Sequence, residues 1–313
     1  MAALHEQAAA FVANIQEQGV PRVREADTLE QAREITGTIG QILGDGPEVA
    51  AVRDLTIPGP GSELVARLYE PKGETNGLIV FFFGGGWVVG GPLDFDAMYR
   101  RLANQSRCRL LSVGYRLAPE NPFPAAIEDC EAAVDWAVAE LAGGEPIVIA
   151  GDSSGGNLAA VTARRLRDRG DSPLAYQLLV YPVVDHDFDR PSYFAHDDVR
   201  LLLDREDMVW FWERYLPDES RRDDPDASPL RADSLTGLPP SYLVIAEFDP
   251  LRDEDRAYAQ ALEGAGVPVE VDFVEDQLHG FFAMVNLMKS ADSAVDRAGR
   301  AVREALATAP QSA

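Results

Sequence analysis

The chain has 313 residues, 46% hydrophobic and 26% charged, a composition that lets a globular protein build a large core without disulfides or metals. Lys and Arg total 28 against 52 Asp and Glu, a formal net charge of −24. Nucleic acid and anionic membrane surfaces carry the same sign, so both are poor partners for this protein.

Residues 1–45 contain HEQAAAFVANIQEQG and LEQAREITGTIGQIL, whose apolar residues recur at helical spacing and predict one or two amphipathic helices. Residues 1–30 lack a basic start followed by an apolar run, so no secretory signal is expected there. Glu48–Ile57 and Glu63–Tyr69 alternate in polarity around PGPGS, which predicts a β-hairpin. From Leu78 the texture changes to short continuous apolar runs: Leu78–Phe83, Arg109–Tyr115, Pro146–Ala150, Tyr176–Tyr181, Ser241–Ala246 and Val269–Val274. Helical stretches such as IEDCEAAVDWAVAELA and EDRAYAQALEGAG separate most of them. Buried runs alternating with helices predict an α/β fold: a mostly parallel sheet of about eight strands, with helices on both faces. The longest apolar stretch, Leu78–Gly91, is about 14 residues, against the roughly 20 a bilayer requires. Cys108 and Cys130 show no ligand-like spacing and suit a reducing compartment, so the chain reads as soluble and cytoplasmic.

One segment breaks the alternation. Residues 185–236 hold no strand-like run, but an acidic stretch and a helix-like LLLDREDMVWFWERYL. Met208, Phe211, Trp212 and Tyr215 form an apolar stripe on that helix, open to two readings: core packing, or a lid that lines a substrate pocket together with Trp87. The cluster Asp185-x-Asp187-x-Asp189 resembles the start of a calcium loop. That pattern would need Gly at 190 and Glu at 196, where Arg190 and His196 stand, so a solvated acidic loop is expected and no metal.

The chemistry centres on Gly151-Asp152-Ser153-Ser154-Gly155, a G-x-S-x-G between the apolar run PIVIA and the helical NLAAVTARRLRDRG. A strand-to-helix turn this tight holds its nucleophile in a strained conformation and requires small flanking residues. Ser153 is the candidate nucleophile, at the positive end of the following helix. A serine hydroxyl needs a base. Of the four histidines, His5, His186 and His196 read as exposed or locally bonded, whereas His279 follows the last predicted strand and precedes a glycine. Loops at strand carboxyl ends are where sites gather in α/β sheets. The third member should be a carboxylate after an earlier strand; Asp249 stands closer to its strand end than Asp253 and is preferred. Ser, Asp, His is the chain order of α/β-hydrolases. Gly84, Gly85 and Gly86 end another strand and could present backbone N–H groups to a reacting carbonyl. A dinucleotide-binding reading of these glycines fails, because G-x-G-x-x-G would need glycine where Val89 stands.

FGGGWVVGG, YRLAPENPFPAA, GDSSGGNLAA, DPLRDE and HGF occur in this order, and together the chain resembles the hormone-sensitive-lipase-like family of α/β-hydrolase carboxylesterases from about residue 45 to 300. The resemblance implies an eight-stranded hydrolase core (46–184 and 237–313), capped by the N-terminal helices (1–45) and the 185–236 insertion. It implies no cofactor. It makes Ser153 the nucleophile, His279 the base, Asp249 the orienting acid, and the N–H groups of Gly85, Gly86 and Ser154 the oxyanion hole. Phe83 stands where the family usually has His before the glycines, which puts in question how that loop is held.

The implied reaction is hydrolysis of a small-molecule carboxylic ester through an acyl-enzyme, with short- to medium-chain acyl groups favoured over lipid droplets. A non-hydrolytic enzyme on the same site (an acyltransferase or dehydratase) and a small-molecule receptor that has lost the chemistry are the alternatives. A homodimer is compatible with this reading.

Overall fold

The computed structural model describes residues 3–196 and 202–308. β1 (Ala51–Pro58) and β2 (Glu63–Glu70) form the antiparallel hairpin around the Pro-Gly turn. The sheet then continues through β3 (Leu78–Phe82), β4 (Arg109–Val113), β5 (Ile147–Asp152), β6 (Leu174–Val180), β7 (Ser241–Phe248) and β8 (Val269–Leu278). The spatial order is β1-β2-β4-β3-β5-β6-β7-β8, and every pair from β4 to β8 is parallel. β2 is antiparallel to both its neighbours, β1 and β4.

The continuous apolar runs follow from burial on both faces. In β3, Leu78, Val80 and Phe82 enter one hydrophobic cluster while Ile79 and Phe81 enter the other. β5 divides the same way, with Ile147 and Ile149 against Val148 and Ala150. A strand that alternates between two cores has no face left for polar residues. One core is closed by α3 (Asp96–Ser106) and α8 (Lys289–Thr308), which pack against each other. The other is closed by α4 (Ala125–Trp136), α5 (Ser154–Arg169) and α7 (Arg252–Gly264). The last strand extends to Leu278, four residues beyond the apolar run that signals it. Those added residues, Glu275–Leu278, include three polar side chains at the edge of the sheet, where an apolar run is not required.

The N-terminal region is two helices, α1 (Glu6–Glu17) and α2 (Leu29–Leu43). His5 caps α1 by accepting from the Gln7 N–H, and Thr28 caps α2 by accepting from Gln31. In 185–236 the described residues contain no strand and one α-helix, α6 (Arg205–Tyr215). It starts at Arg205, because Asp204 and Asp207 form a reciprocal capping box; Leu201, at the head of the helix-like run, lies outside the described residues. Asp204 and Asp207 also receive Arg22 and Arg24 from the N-terminal segment, which ties the two separate regions together.

Acidic residues of this segment are not all solvated, contrary to expectation. Asp185 is buried, with Arg190 at 2.6 Å and Arg231 at 2.7 Å on its two oxygens, and together with backbone donation from His186 they hold its carboxyl below the usual range despite burial. Its oxygens serve arginines, not a cation site.

Candidate active site

β5 ends at Asp152 and α5 begins at Ser154, which leaves Ser153 alone in the turn with φ 55° and ψ −121°. Few non-glycine residues adopt this conformation, and it costs on the order of 1–3 kcal/mol. The turn is held by its neighbours: Ser153 N–H donates to the Val180 carbonyl at 2.9 Å, and the Ser153 carbonyl accepts from Val183 at 3.1 Å. Side chains cannot fit beside it. A Cβ on Gly151 would overlap the Gly155 carbonyl, and one on Gly155 would overlap the Phe82 carbonyl.

Ser153 Oγ lies 3.0 Å from His279 Nε2, and His279 Nδ1 lies 2.7 Å from Asp249 Oδ2. His279 follows β8 directly, and Asp249 follows β7, so the neighbouring strands β7 and β8 deliver both groups to the sheet edge where β5 delivers Ser153. Asp249 is fully buried, and its other oxygen accepts the Leu251 N–H at 2.9 Å. A carboxylate so placed fixes the tautomer with hydrogen on Nδ1, leaving Nε2 to accept from the serine. The ring of Tyr181 lies against the imidazole, with centroids 4.5 Å apart.

Asp253 is engaged elsewhere, accepting from the Ser192 N–H at 2.9 Å and from Arg252 at 3.0 Å. A second Ser–His–Asp grouping has the wrong geometry for a relay. Ser228 Oγ at 3.2 Å and Asp185 at 3.7 Å both approach Nδ1 of His186, and the carboxylate on the side of Nε2, exposed Asp223, lies 3.8 Å away, beyond hydrogen-bond reach. The Ser228 hydroxyl is buried and donates to the Arg222 carbonyl at 2.7 Å. His196 rests against the Phe248 ring.

The glycine loop after β3 runs beside Ser153. Gly85 has φ 136° and Gly86 has φ 58°, conformations that disfavour side chains. A Cβ on Gly85 would overlap the Val89 carbonyl, and one on Gly86 would overlap the Phe211 ring. Gly85 O accepts from Val88 and Val89, closing a tight turn. Among the described residues no acceptor takes the N–H of Gly85, Gly86 or Ser154. Phe83, in the position that put the loop's support in question, stacks on Tyr115 with centroids 4.4 Å apart and 13° between the planes. The Tyr115 hydroxyl donates to the Phe83 carbonyl at 2.8 Å, and the Gly84 N–H donates to Asp152 Oδ1 at 2.8 Å. Arg33 of α2 adds a third hold, donating to the Val88 carbonyl at 3.1 Å while pairing with Glu120 at 2.7 Å. Tyr115, Asp152 and Arg33 carry no signal of this role in the sequence beyond membership of YRLAPE and GDSSG for the first two.

The aromatic stripe divides. Phe211 reaches the glycine loop, and Met208 is nearly buried beside it in the same core. Trp87, Trp212 and Tyr215 are wholly buried and pack together, Trp87 and Tyr215 stacked in parallel at 4.2 Å and Trp212 edge-on to both. Their burial fits the core-packing reading of the stripe. A separate pocket of about 120 Å³ lies at the N-terminal helices, lined by Phe11, Ile15, Val23, Ile35, Ile39 and Leu202 among others. No cluster of three or more His, Cys, Asp or Glu suited to a metal occurs among the described residues, and no described helix is long and apolar enough to cross a membrane. Burial pushes the Cys108 thiol up to about 12 and Cys130 well above its ordinary value.

A family model for the alpha/beta hydrolase fold matches residues 79–283. The carboxylic ester hydrolase LipN of Mycobacterium tuberculosis is 40% identical over 255 residues, 77% of this chain and 67% of that protein. The ethyl acetate hydrolase of Pseudomonas putida is 34% identical over 278 residues, 86% of each chain. Among solved structures, an ester hydrolase from the metagenome of Lake Arreo, complexed with a derivative of bipyridine phosphonate, superposes with a TM-score of 0.92. It is 34% identical, over 97% of this chain and 100% of that one.

Proposed function

The chain belongs to the hormone-sensitive-lipase-like family of α/β-hydrolase-fold esterases and is a carboxylic ester hydrolase; from that premise we propose that Ser153, His279 and Asp249 carry the reaction. The observation behind this assignment is the continuous contact from Ser153 Oγ through both ring nitrogens of His279 to Asp249, at 3.0 and 2.7 Å. Ser153 attacks the ester carbonyl while Nε2 of His279 takes its proton. The C–O bond to the alcohol breaks as His279 returns that proton to the leaving oxygen, and an acyl-Ser153 remains. Water, deprotonated by His279, then attacks the acyl carbon and releases the acid and the free serine.

In this reading the tetrahedral oxyanion sits between the N–H groups of Gly85, Gly86 and Ser154. All three are backbone donors fixed by turns or by a helix start, so they need no rearrangement as charge develops, and each is worth on the order of 100- to 1,000-fold in rate. The cap comprises α1, α2 and the 185–236 segment, and the apolar pocket at the N-terminal helices receives the hydrocarbon part of the substrate. A pocket of that size favours short- to medium-chain acyl esters, in keeping with a relative named for ethyl acetate. Two buried free cysteines suit a cytoplasmic setting.

Initial rates on p-nitrophenyl esters of two to sixteen carbons, for the native enzyme and Ser153→Ala, test the proposal. The native enzyme should peak at the short end and Ser153→Ala should lose at least about a thousandfold. Full activity in a clean Ser153→Ala preparation would remove the assignment, and a maximum at the longest esters would remove the chain-length reading.

A further inference from the structure

We propose that Asp152, the last residue of β5, is a positioning residue that holds the oxyanion loop through the Gly84 N–H and loosens its grip when protonated, so that a second proton besides that of His279 lowers activity in acid. This rests on the reading of Gly85, Gly86 and Ser154 as the oxyanion hole.

Three observations carry it. First, Asp152 is buried, and Oδ1 takes the Gly84 N–H at 2.8 Å, one residue before the glycines whose N–H groups face the reaction. Second, its Oδ2 lies so close to Gly84 that a Cβ there would overlap it, so the carboxylate packs directly on the loop. Third, among the described residues that act on it there is no arginine or lysine. Tyr99 of α3, Tyr115 after β4, Tyr181 after β6 and His279 after β8 face it, and only His279 can bring positive charge. Burial pushes the carboxyl up to about 6, opposed by the Gly84 N–H and by His279.

The consequence follows from hydrogen-bond strength. An N–H held by a carboxylate is gripped about twice as strongly as one held by a neutral acceptor. Protonation of Asp152 therefore loosens the loop, and this loss adds to the one that follows from the need for a neutral His279 as base. Through the Asp152 transition, near pH 6, log kcat/KM should fall more steeply than the one unit per pH unit of a single proton, by about one extra unit in total.

The stability effect has the opposite sign. The Asp152 carboxyl titrates higher in the folded chain than its ordinary 3.8, so its contribution to stability is full below that value and fades as pH rises through about 6. Asp152→Asn keeps an acceptor oxygen, cannot titrate, and removes a buried charge.

The test compares the full-length native enzyme, Asp152→Asn and Ser153→Ala on p-nitrophenyl butyrate between pH 4.5 and 9, with Tm at pH 8 and inhibition by an alkyl trifluoromethyl ketone, which forms an oxyanion on an active serine. For Asp152→Asn, the expectation is a kcat about tenfold lower at pH 8 and a similar loss of ketone affinity. KM should be unchanged, Tm at pH 8 no lower than native, and the acid limb should become a one-proton fall. Native kcat and the steeper native limb in Asp152→Asn would overturn the proposal. So would lower kcat accompanied by a lower Tm and an unchanged limb, which would make Asp152 merely structural. Retained activity in Ser153→Ala is a different result: it defeats the reading of the site itself, whatever Asp152 does.

Discussion

Phe83 lies flat against Tyr115, and the hydroxyl of that tyrosine donates to the carbonyl of Phe83 itself. The pair thereby fixes both the ring and the backbone at the start of the glycine loop, where relatives in this family usually place an imidazole. The Phe83 ring cannot hydrogen-bond to the loop; the stack and the Tyr115 hydroxyl hold this end of it. Tyr115→Phe keeps the stack and strands the buried Phe83 carbonyl. It should cost about 1–2 kcal/mol of stability by urea unfolding. If the loop shifts as expected, kcat should fall roughly tenfold while KM holds. A variant with native kcat would show that the hydroxyl bond does not position the loop.

Gly86 and Phe211 couple the insertion to the loop in a second way. The Phe211 ring occupies the space that a side chain at 86 would need, and the positive φ of Gly86 adds strain for any L-residue. Gly86→Ala should therefore lose about a hundredfold or more in kcat/KM, in the range expected for a displaced oxyanion donor. Phe211→Ala in the same chain relieves the overlap but not the backbone strain, so it should recover part of the loss. The interaction between the two substitutions in a double-mutant cycle should be at least about 1 kcal/mol. Strict additivity would mean that the ring and the loop are energetically separate.

Much of this arrangement is legible in the sequence because local rules carry it. The strands announce themselves as apolar runs since both faces are buried, and Ser153 is marked by glycines that the turn itself demands. What is hidden depends on contacts distant along the chain. Asp152 meets Gly84 across 68 positions, and Arg24 meets Asp207 across 183. Asp185 and Asp207 look like solvent-facing charge until their arginines are in place. The stripe on α6 is visible as a stripe, but helical spacing does not tell which residues touch a ligand and which, like Trp212 and Tyr215, pack against other rings of the core.

The two aspartates of DPLRDE separate by experiment. Asp249→Asn preserves shape, but its amide can present a donor to Nδ1 and favour the wrong imidazole tautomer. A fall in kcat of about 10⁴ is expected, with KM little changed. Asp253→Asn disturbs only the contacts to Ser192 and Arg252, so kcat should stay within about threefold of native while stability drops by roughly 1 kcal/mol. The reverse ranking in steady-state kinetics would transfer the orienting role to Asp253.

Glu254, one residue further on, governs stability rather than rate. It is fully buried, and its Oε1 accepts the N–H groups of Val184 and Asp185 at 2.9 and 3.2 Å, while Oε2 lies 3.2 Å from the Tyr193 hydroxyl. Burial pushes its carboxyl up to about 8 against an ordinary 4.5, and nearby Asp185 adds to the rise. A raised carboxyl stabilises the fold fully below its unfolded value and loses that contribution as pH climbs through about 8. Glu254→Gln mimics the protonated acid: its oxygen can keep both backbone bonds, and its amide can donate to Tyr193. Native and variant should therefore unfold at nearly the same urea concentration at pH 4.5. The variant's advantage should grow with pH and level off above about 8, reaching a few kcal/mol, because each tenfold change in proton affinity between the folded and unfolded chain is worth about 1.4 kcal/mol. An advantage that does not change with pH would mean that Glu254 is already ionised at pH 4.5, with Tyr193 and the two backbone donors carrying its charge.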